Sequence, residues 1–269
     1  MRLSVDHTTR YSYASPVRSL VQSHRLTPSV CEGQRVLSWE ISVTGGIRGA
    51  DFTDGAGDRI QGWSIAGPLS EIGVTVKGEV ETTDTAGVLR GHREAIRPEV
   101  WLRETAMTAA DAGLGALAAR ASGEGSLALA HALAEAVAGA IAYRPGATHA
   151  HTTAAEALAL GEGVCQDHAH ALIACARLRG LPARYVSGYL FAAADGQPHE
   201  AAHAWAEIFV AGLGWVGFDP ANACCPDARY IRLGSGFDAR DAAPIRGVAR
   251  GASGAESLDV AVAVLSAGQ

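Results

Sequence analysis

Cysteine is scarce in this chain: five among 269 residues, at positions 31, 165, 175, 224 and 225, an odd number with no C-x-x-C pair. That argues against the disulfide framework of a small secreted domain and against a cysteine zinc ribbon. Long apolar runs are also missing. No stretch reaches the roughly 18 apolar residues of a membrane span, so no membrane partner is expected. The first residues, MRLSVDHTTRYSY, lack the apolar run of about 7–15 residues that marks a signal peptide, and the cytoplasm is the expected compartment. A basic surplus is absent too. Lys and Arg total 22 against 28 Asp and Glu, a net charge of −6, so no nucleic-acid partner is expected. What is present is apolar: 48% hydrophobic against 19% charged residues, a balance that packs a core rather than staying disordered. The length suits one large domain or two modest ones, with no need of a disulfide or metal staple.

The pattern changes along the chain. Residues 1–95 read as a β domain. Leu37, Trp39, Ile41 and Val43 alternate with polar residues, as do Ile72, Val74, Val76 and Val80. A period of two marks half-buried antiparallel strands, and Asp54-Gly55 and Gly57-Asp58 are turn signals between them. From residue 96 the chain becomes rich in Ala and Leu. Two helices fit residues 98–143, broken by Ser122-Gly123-Glu124-Gly125 and ended at Tyr143-Arg144-Pro145-Gly146. Thr153 and Glu156 have capping-box spacing and predict a short helix near 154–160. A further helix is expected over 165–179, stopped by Gly180 and Pro182. Strands are expected at 183–190, about 202–210 and 215–219. After a long irregular stretch, residues 258–264 alternate as a last strand that could return to the N-terminal domain. The divisions are thus 1–95, 96–250 and 251–269.

Three residues stand out chemically. Cys165 follows glycines and opens a helix, where the dipole and unpaired N–H groups favour thiolate and can hold an oxyanion. Cys175, mid-helix among apolar neighbours, reads as core. His203 lies on a strand with Trp205, Glu207 and Phe209 on its face, and Asp219 ends the next strand. A cysteine nucleophile needs an imidazole base, and the imidazole needs an orienting acceptor. Register provides a check. A four-residue loop over 211–214 would pair Val210 with Trp215 and turn Asp219 away from His203. A three-residue loop or a bulge, made feasible by Gly212 and Gly214, would put Asp219 opposite Trp205 with His203 as its diagonal neighbour.

These segments, GVCQDHAH (163–170), LPARYVSGYL (181–190), HAWAEIFV (203–210) and GWVGFDPAN (214–222), resemble the core of the transglutaminase-like superfamily. HTTRYSYASPV (7–17) and RLTP (25–28) resemble the N-terminal β domain of its bacterial cysteine-protease members, and APIRGVARG (243–251) fits the same pattern. The resemblance implies an α+β fold: an N-terminal β-sandwich-like domain, then a papain-like core with a central helix against an antiparallel sheet. It implies Cys165 as nucleophile, His203 as general base and acid, and Asp219 as orienting residue. Asn222 matches the Asn of the family's DPTN-like segment, with Ala221 in place of its Thr. Tyr143 matches a Tyr-x-Pro-Gly stretch and is a candidate second oxyanion donor. Gln166 is a pocket candidate, and Trp205 and Trp215 are candidate cleft walls.

His149, His151, His168 and His170 suggest a metal only superficially: the first two lie in an irregular stretch without acidic partners. No metal or cofactor is expected. Asp167 and His168 are expected to orient neighbours, and Cys224 and Cys225 to be loop thiols rather than a strained vicinal disulfide. The expected activity is hydrolysis of an amide or peptide bond in a peptide or protein substrate. Acyl transfer to an amine and a non-catalytic binding module are the alternatives, and the sequence leaves the oligomeric state open.

Overall fold

The computed structural model describes residues 1–191, 201–251 and 256–266. In chain order come β1 (Arg2–His24), β2 (Gln34–Val43), β3 (Gly46–Thr53), β4 (Arg59–Thr82), a 3-10 turn (Pro98–Leu102), α1 (Ala112–Arg120) and α2 (Gly125–Ala140). Then follow β5 (Ala142–Tyr143), α3 (Ala154–Leu160), β6 (Glu162–Gly163), α4 (Cys165–Leu178), β7 (Ala183–Leu190) and β8 (Ala202–Val210). The last are β9 (Gly214–Phe218), β10 (Tyr230–Gly236), β11 (Ile245–Arg250) and β12 (Glu256–Ser266).

The fold is mixed, with a strand-rich N-terminal region and a helix-on-sheet core. One six-stranded antiparallel sheet makes the N-terminal region. Its long strands β1 and β4 pair throughout, but the register shifts between Ser12 and Ser19. The shift divides the sheet in two. β12 and β2 flank one half, and β11 and β3 flank the other. Inward residues of both halves, among them Val5, Leu20, Ile65 and Val76, share one core. Tyr189 of β7 and Ile231 and Leu233 of β10 reach into that core, which seats the N-terminal sheet on the second sheet.

That second sheet is antiparallel in the order β10-β7-β8-β9. One face, with Ala204, Ala206, Ile208, Val216 and Phe218, packs on α4 and its neighbours α1, α2 and α3. α4 is the central helix: eleven of its fourteen residues are buried, because small side chains such as Ala169, Ala171 and Ala174 let it sit in the middle of the layer. Its Arg177 is buried as well and donates to the carbonyls of Trp101, Ala183 and Phe237 and to Thr108. Those bonds fasten the loop segment before α1 to the core.

The other face carries Arg184, Glu207 and Arg232, all nearly inaccessible to solvent. Glu207 accepts from Arg184 at 2.7 Å and from Arg232 at 2.8 Å. Arg232 also donates to Asp58 at 2.9 Å and to Ser29 at 2.6 Å, both from the N-terminal region. Burial opposes the Glu207 charge, but the two guanidinium groups outweigh it and hold its carboxyl down at about 2.

The expected helices of the core differ at one point. Residues 98–102 form only a 3-10 turn, and the first α-helix starts at Ala112, where the Asp111 carboxylate accepts the Leu114 N–H at 2.8 Å. The stretch read as irregular before residue 258 holds two strands, β10 and β11. β10 hides from a period-two search because all seven of its residues are buried.

Candidate active site

Cys165 is the first residue of α4. Glu162 and Gly163 run as β6 parallel to β5, pairing Tyr143 with Gly163. The thiol therefore emerges from a strand edge directly onto a helix N-terminus, where free N–H groups and the dipole favour an anion. The turn is tied from two sides. Asp167, fully buried, accepts the Val164 N–H at 2.8 Å and the Thr148 hydroxyl at 2.5 Å. The His168 ring lies 2.9 Å from the carbonyl oxygens of both Val164 and Ile141, linking this turn to the end of α2. Both residues thus hold the backbone that leads into Cys165.

His203 and Asp219 come from neighbouring strands. β8 and β9 pair Phe209 with Trp215 and Val210 with Gly214, so the connecting loop is three residues long. Gly212 and Gly214 adopt φ values of 85° and 86° to close it. This is the parity that turns Asp219 toward His203. Opposite His203 stands Gly188. A Cβ there would come within 2.6 Å of the Trp205 ring and 2.3 Å of the Ile231 carbonyl oxygen.

The His203 Nε2–H donates to Asp219 Oδ2 at 2.6 Å. The same oxygen accepts from Asn222 Nδ2 at 2.7 Å and from the Tyr230 hydroxyl at 2.8 Å, while Oδ1 accepts the backbone N–H groups of Ala221 and Asn222. Asp219 and Cys224 exchange backbone hydrogen bonds that close the loop, and Ala223 takes the left-handed conformation within it, at φ 50°. Burial disfavours the Asp219 anion, but these donors prevail and its carboxyl titrates below the ordinary range. His203 follows. Burial works against the imidazolium, yet hydrogen bonds to Asp219 and Cys165, with their charge, raise it to about 9. With Nε2 committed to Asp219, Nδ1 is left for the Cys165 sulfur. A thiol, an imidazole and a carboxylate in series can deprotonate a nucleophile and return the proton to a leaving group.

The remaining sequence candidates fall in different places. Asn222 completes the Asp219 cradle. Tyr143 stays half-exposed beside the strand leading to Cys165, its ring 6.3 Å from that of His168. Gln166 donates weakly to the Ala150 carbonyl at 3.4 Å. The two tryptophans are not cleft walls. Trp205 is buried behind His203, stacked on its ring and edge-on to Tyr230. Trp215 is buried against Trp101 and donates to Glu94 at 2.6 Å. Both lie on the sheet face that the N-terminal region and the segment after it cover. Tyr230 is a site residue that sequence reasoning missed, for it lies on the unrecognised strand β10. Among the described residues no group of three or more His, Cys, Asp or Glu side chains is arranged to hold a metal ion.

Residues 115–220 match the core of the transglutaminase-like superfamily, and residues 3–81 match the bacterial transglutaminase-like N-terminal region. An uncharacterized protein of Mycobacterium leprae is 32% identical over 98% of both chains. An uncharacterized protein of Mycobacterium tuberculosis is 42% identical over 134 residues, 46% of this chain and 42% of its own. A crystal structure described as a "Putative Cysteine Protease" from Cytophaga hutchinsonii superposes with a TM-score of 0.77 at 20% identity, covering 100% of this chain and 91% of that one. The chain belongs to the transglutaminase-like superfamily.

Proposed function

We propose that this superfamily member is a cysteine-dependent hydrolase of amide or peptide bonds, working through a thioester on Cys165. The observation that carries the reading is the series Cys165, His203, Asp219, with the thiol at a helix N-terminus and the imidazole anchored to a carboxylate cradled by five donors. Cys165 Sγ attacks the carbonyl carbon of a peptide or protein substrate, and the C–N bond breaks as His203 protonates the departing nitrogen. The Cys165 backbone N–H at the start of α4 faces the developing oxyanion. Neutral His203 then takes a proton from water, which attacks the thioester and releases a free acid with regeneration of the thiol.

The same acyl-enzyme would serve transfer to an amine, so the two outcomes separate at its second step. Incubation with an acyl donor and a primary amine at about millimolar concentration, with products identified by mass spectrometry, tests the choice. Hydrolysis predicts mostly free acid. A dominant amine adduct would replace the hydrolase reading with a transglutaminase one and keep the triad. If no donor acylates Cys165, the chain is a binding module instead.

A further inference from the structure

We propose that the chain associates as a two-fold dimer by pairing β12 with β12 of a second copy, an inference independent of the reaction at Cys165. β12 forms an outer strand of the N-terminal sheet. It pairs with β1 along one edge over eleven residues without a register shift, and eight of its eleven residues are exposed. Its backbone on the other edge is a template for a further strand.

The apolar pattern of β12 points the same way. Leu258, Val260, Val262 and Val264 share one face. Val264 is in the core and Val262 packs against it, yet Val260 and Leu258 on that face remain 48% and 57% exposed. The aliphatic stripe runs on past the core it belongs to. Leu265, on the opposite face, is 63% exposed.

Among the described residues, the other outer strands of this sheet are protected and β12 is not. β3 carries Arg48 and Asp51, breaks register between them, and ties Arg48, Asp51 and Arg59 into one ion cluster. β2 also breaks register, between Val36 and Ser38, and pairs Arg35 with Glu81. β11 carries Arg246 and Arg250. Charges and bulges of this kind prevent edge-to-edge contact. β12 has no Lys, Arg or Pro, and its two acids, Glu256 and Asp259, lie in its first four residues.

A second copy fits this edge. Antiparallel pairing about Ala261 sets Leu258 against Val264 of the other copy and Val260 against its Val262, on one face. It sets Glu256 against Ser266 and Asp259 against Ala263, so no acid meets an acid. Parallel in-register pairing would stack each acid on itself. The antiparallel contact is isologous and closes at two copies, joining two six-stranded sheets into one.

Sedimentation velocity on the full chain, at tens of micromolar, tests the proposal. The expected mass is twice 27.7 kDa. Val260→Lys should halve it while leaving the far-ultraviolet spectrum unchanged, because the position is half-exposed in the single chain. Ile47→Lys, on the protected strand β3, should leave the dimer intact. Hydrogen exchange should show β12 amides more protected at high than at low protein concentration. A single-chain mass for the unmodified protein overturns the proposal. So does a dimer that survives Val260→Lys, or one that Ile47→Lys dissolves equally.

Discussion

Tyr230 donates its hydroxyl to Asp219 at 2.8 Å from a strand eleven residues further along the chain, and its ring meets His203 edge-on with centroids 5.9 Å apart. One side chain thus touches two members of the proposed triad and reacts with neither. Tyr230→Phe keeps the ring contact and removes the donor. It should lower kcat by about 10–100-fold, the scale of one charge-assisted hydrogen bond, with KM little changed. Steady-state kinetics on the two proteins would reveal it. An unchanged kcat would make Tyr230 packing alone.

Asp219 has the larger role in this account. Asp219→Asn leaves a similar shape but takes away the anion that stabilises the His203 imidazolium. A loss in kcat of about 10³–10⁴-fold is expected, as for orienting carboxylates generally.

The pH profile has a definite sign. The His203 value is raised from 6.5 to about 9, so the imidazolium that protonates the leaving nitrogen persists below that and is lost above it. The alkaline limb of kcat/KM should therefore fall near pH 9. In Asp219→Asn it should move downward, since the main opposing cause left is burial. The same raised value stabilises the fold: the contribution is complete below about 6.5 and vanishes as pH rises through 9. His7, His24 and His170 act in reverse, because burial lowers each to about 4. Their contribution is complete above 6.5 and is lost as pH falls toward 4. Tm measured across both ranges should show each decline.

Gly188 sets the space behind His203. Gly188→Ala drives a methyl group into the Trp205 ring and the Ile231 carbonyl. Overpacking of this kind costs about 1–3 kcal/mol, and the displaced indole should shift the imidazole stacked on it. Denaturant unfolding and kcat should both decline. A change in stability without any change in kcat would separate Trp205 from the site.

The parts of this molecule that were legible in its sequence are those with local signals. α4 declares itself through preceding glycines and Gly180 after it. The His203–Asp219 pairing could be tested on parity alone, and the three-residue loop is one of the solutions that parity required. The capping box at Thr153 and Glu156 forms as expected, with both reciprocal bonds. What stayed hidden depends on distant partners. β10 reads as irregular because YIRLGSG has no alternation, and its Arg232 is buried only because Asp58 and Glu207 meet it there. Trp205 looks like a cleft aromatic until the covering N-terminal region is placed. β1 and β4 each run through both halves of the sheet across the register shift, a length that no local alternation announces.

The cysteines give the most direct measurement of the central claim, that Cys165 is the acylated nucleophile. Cys175 is fully buried and its thiol is pushed up to about 12 by burial, while Cys165 is part-exposed at a helix N-terminus beside His203. An activated peptide ester, acid-quenched in the first turnovers and mapped by mass spectrometry, should place the acyl group on Cys165. It should be absent from Cys165→Ala and strongly delayed in His203→Ala. An acyl group found on another residue, or one that forms at the same rate without His203, would contradict the account.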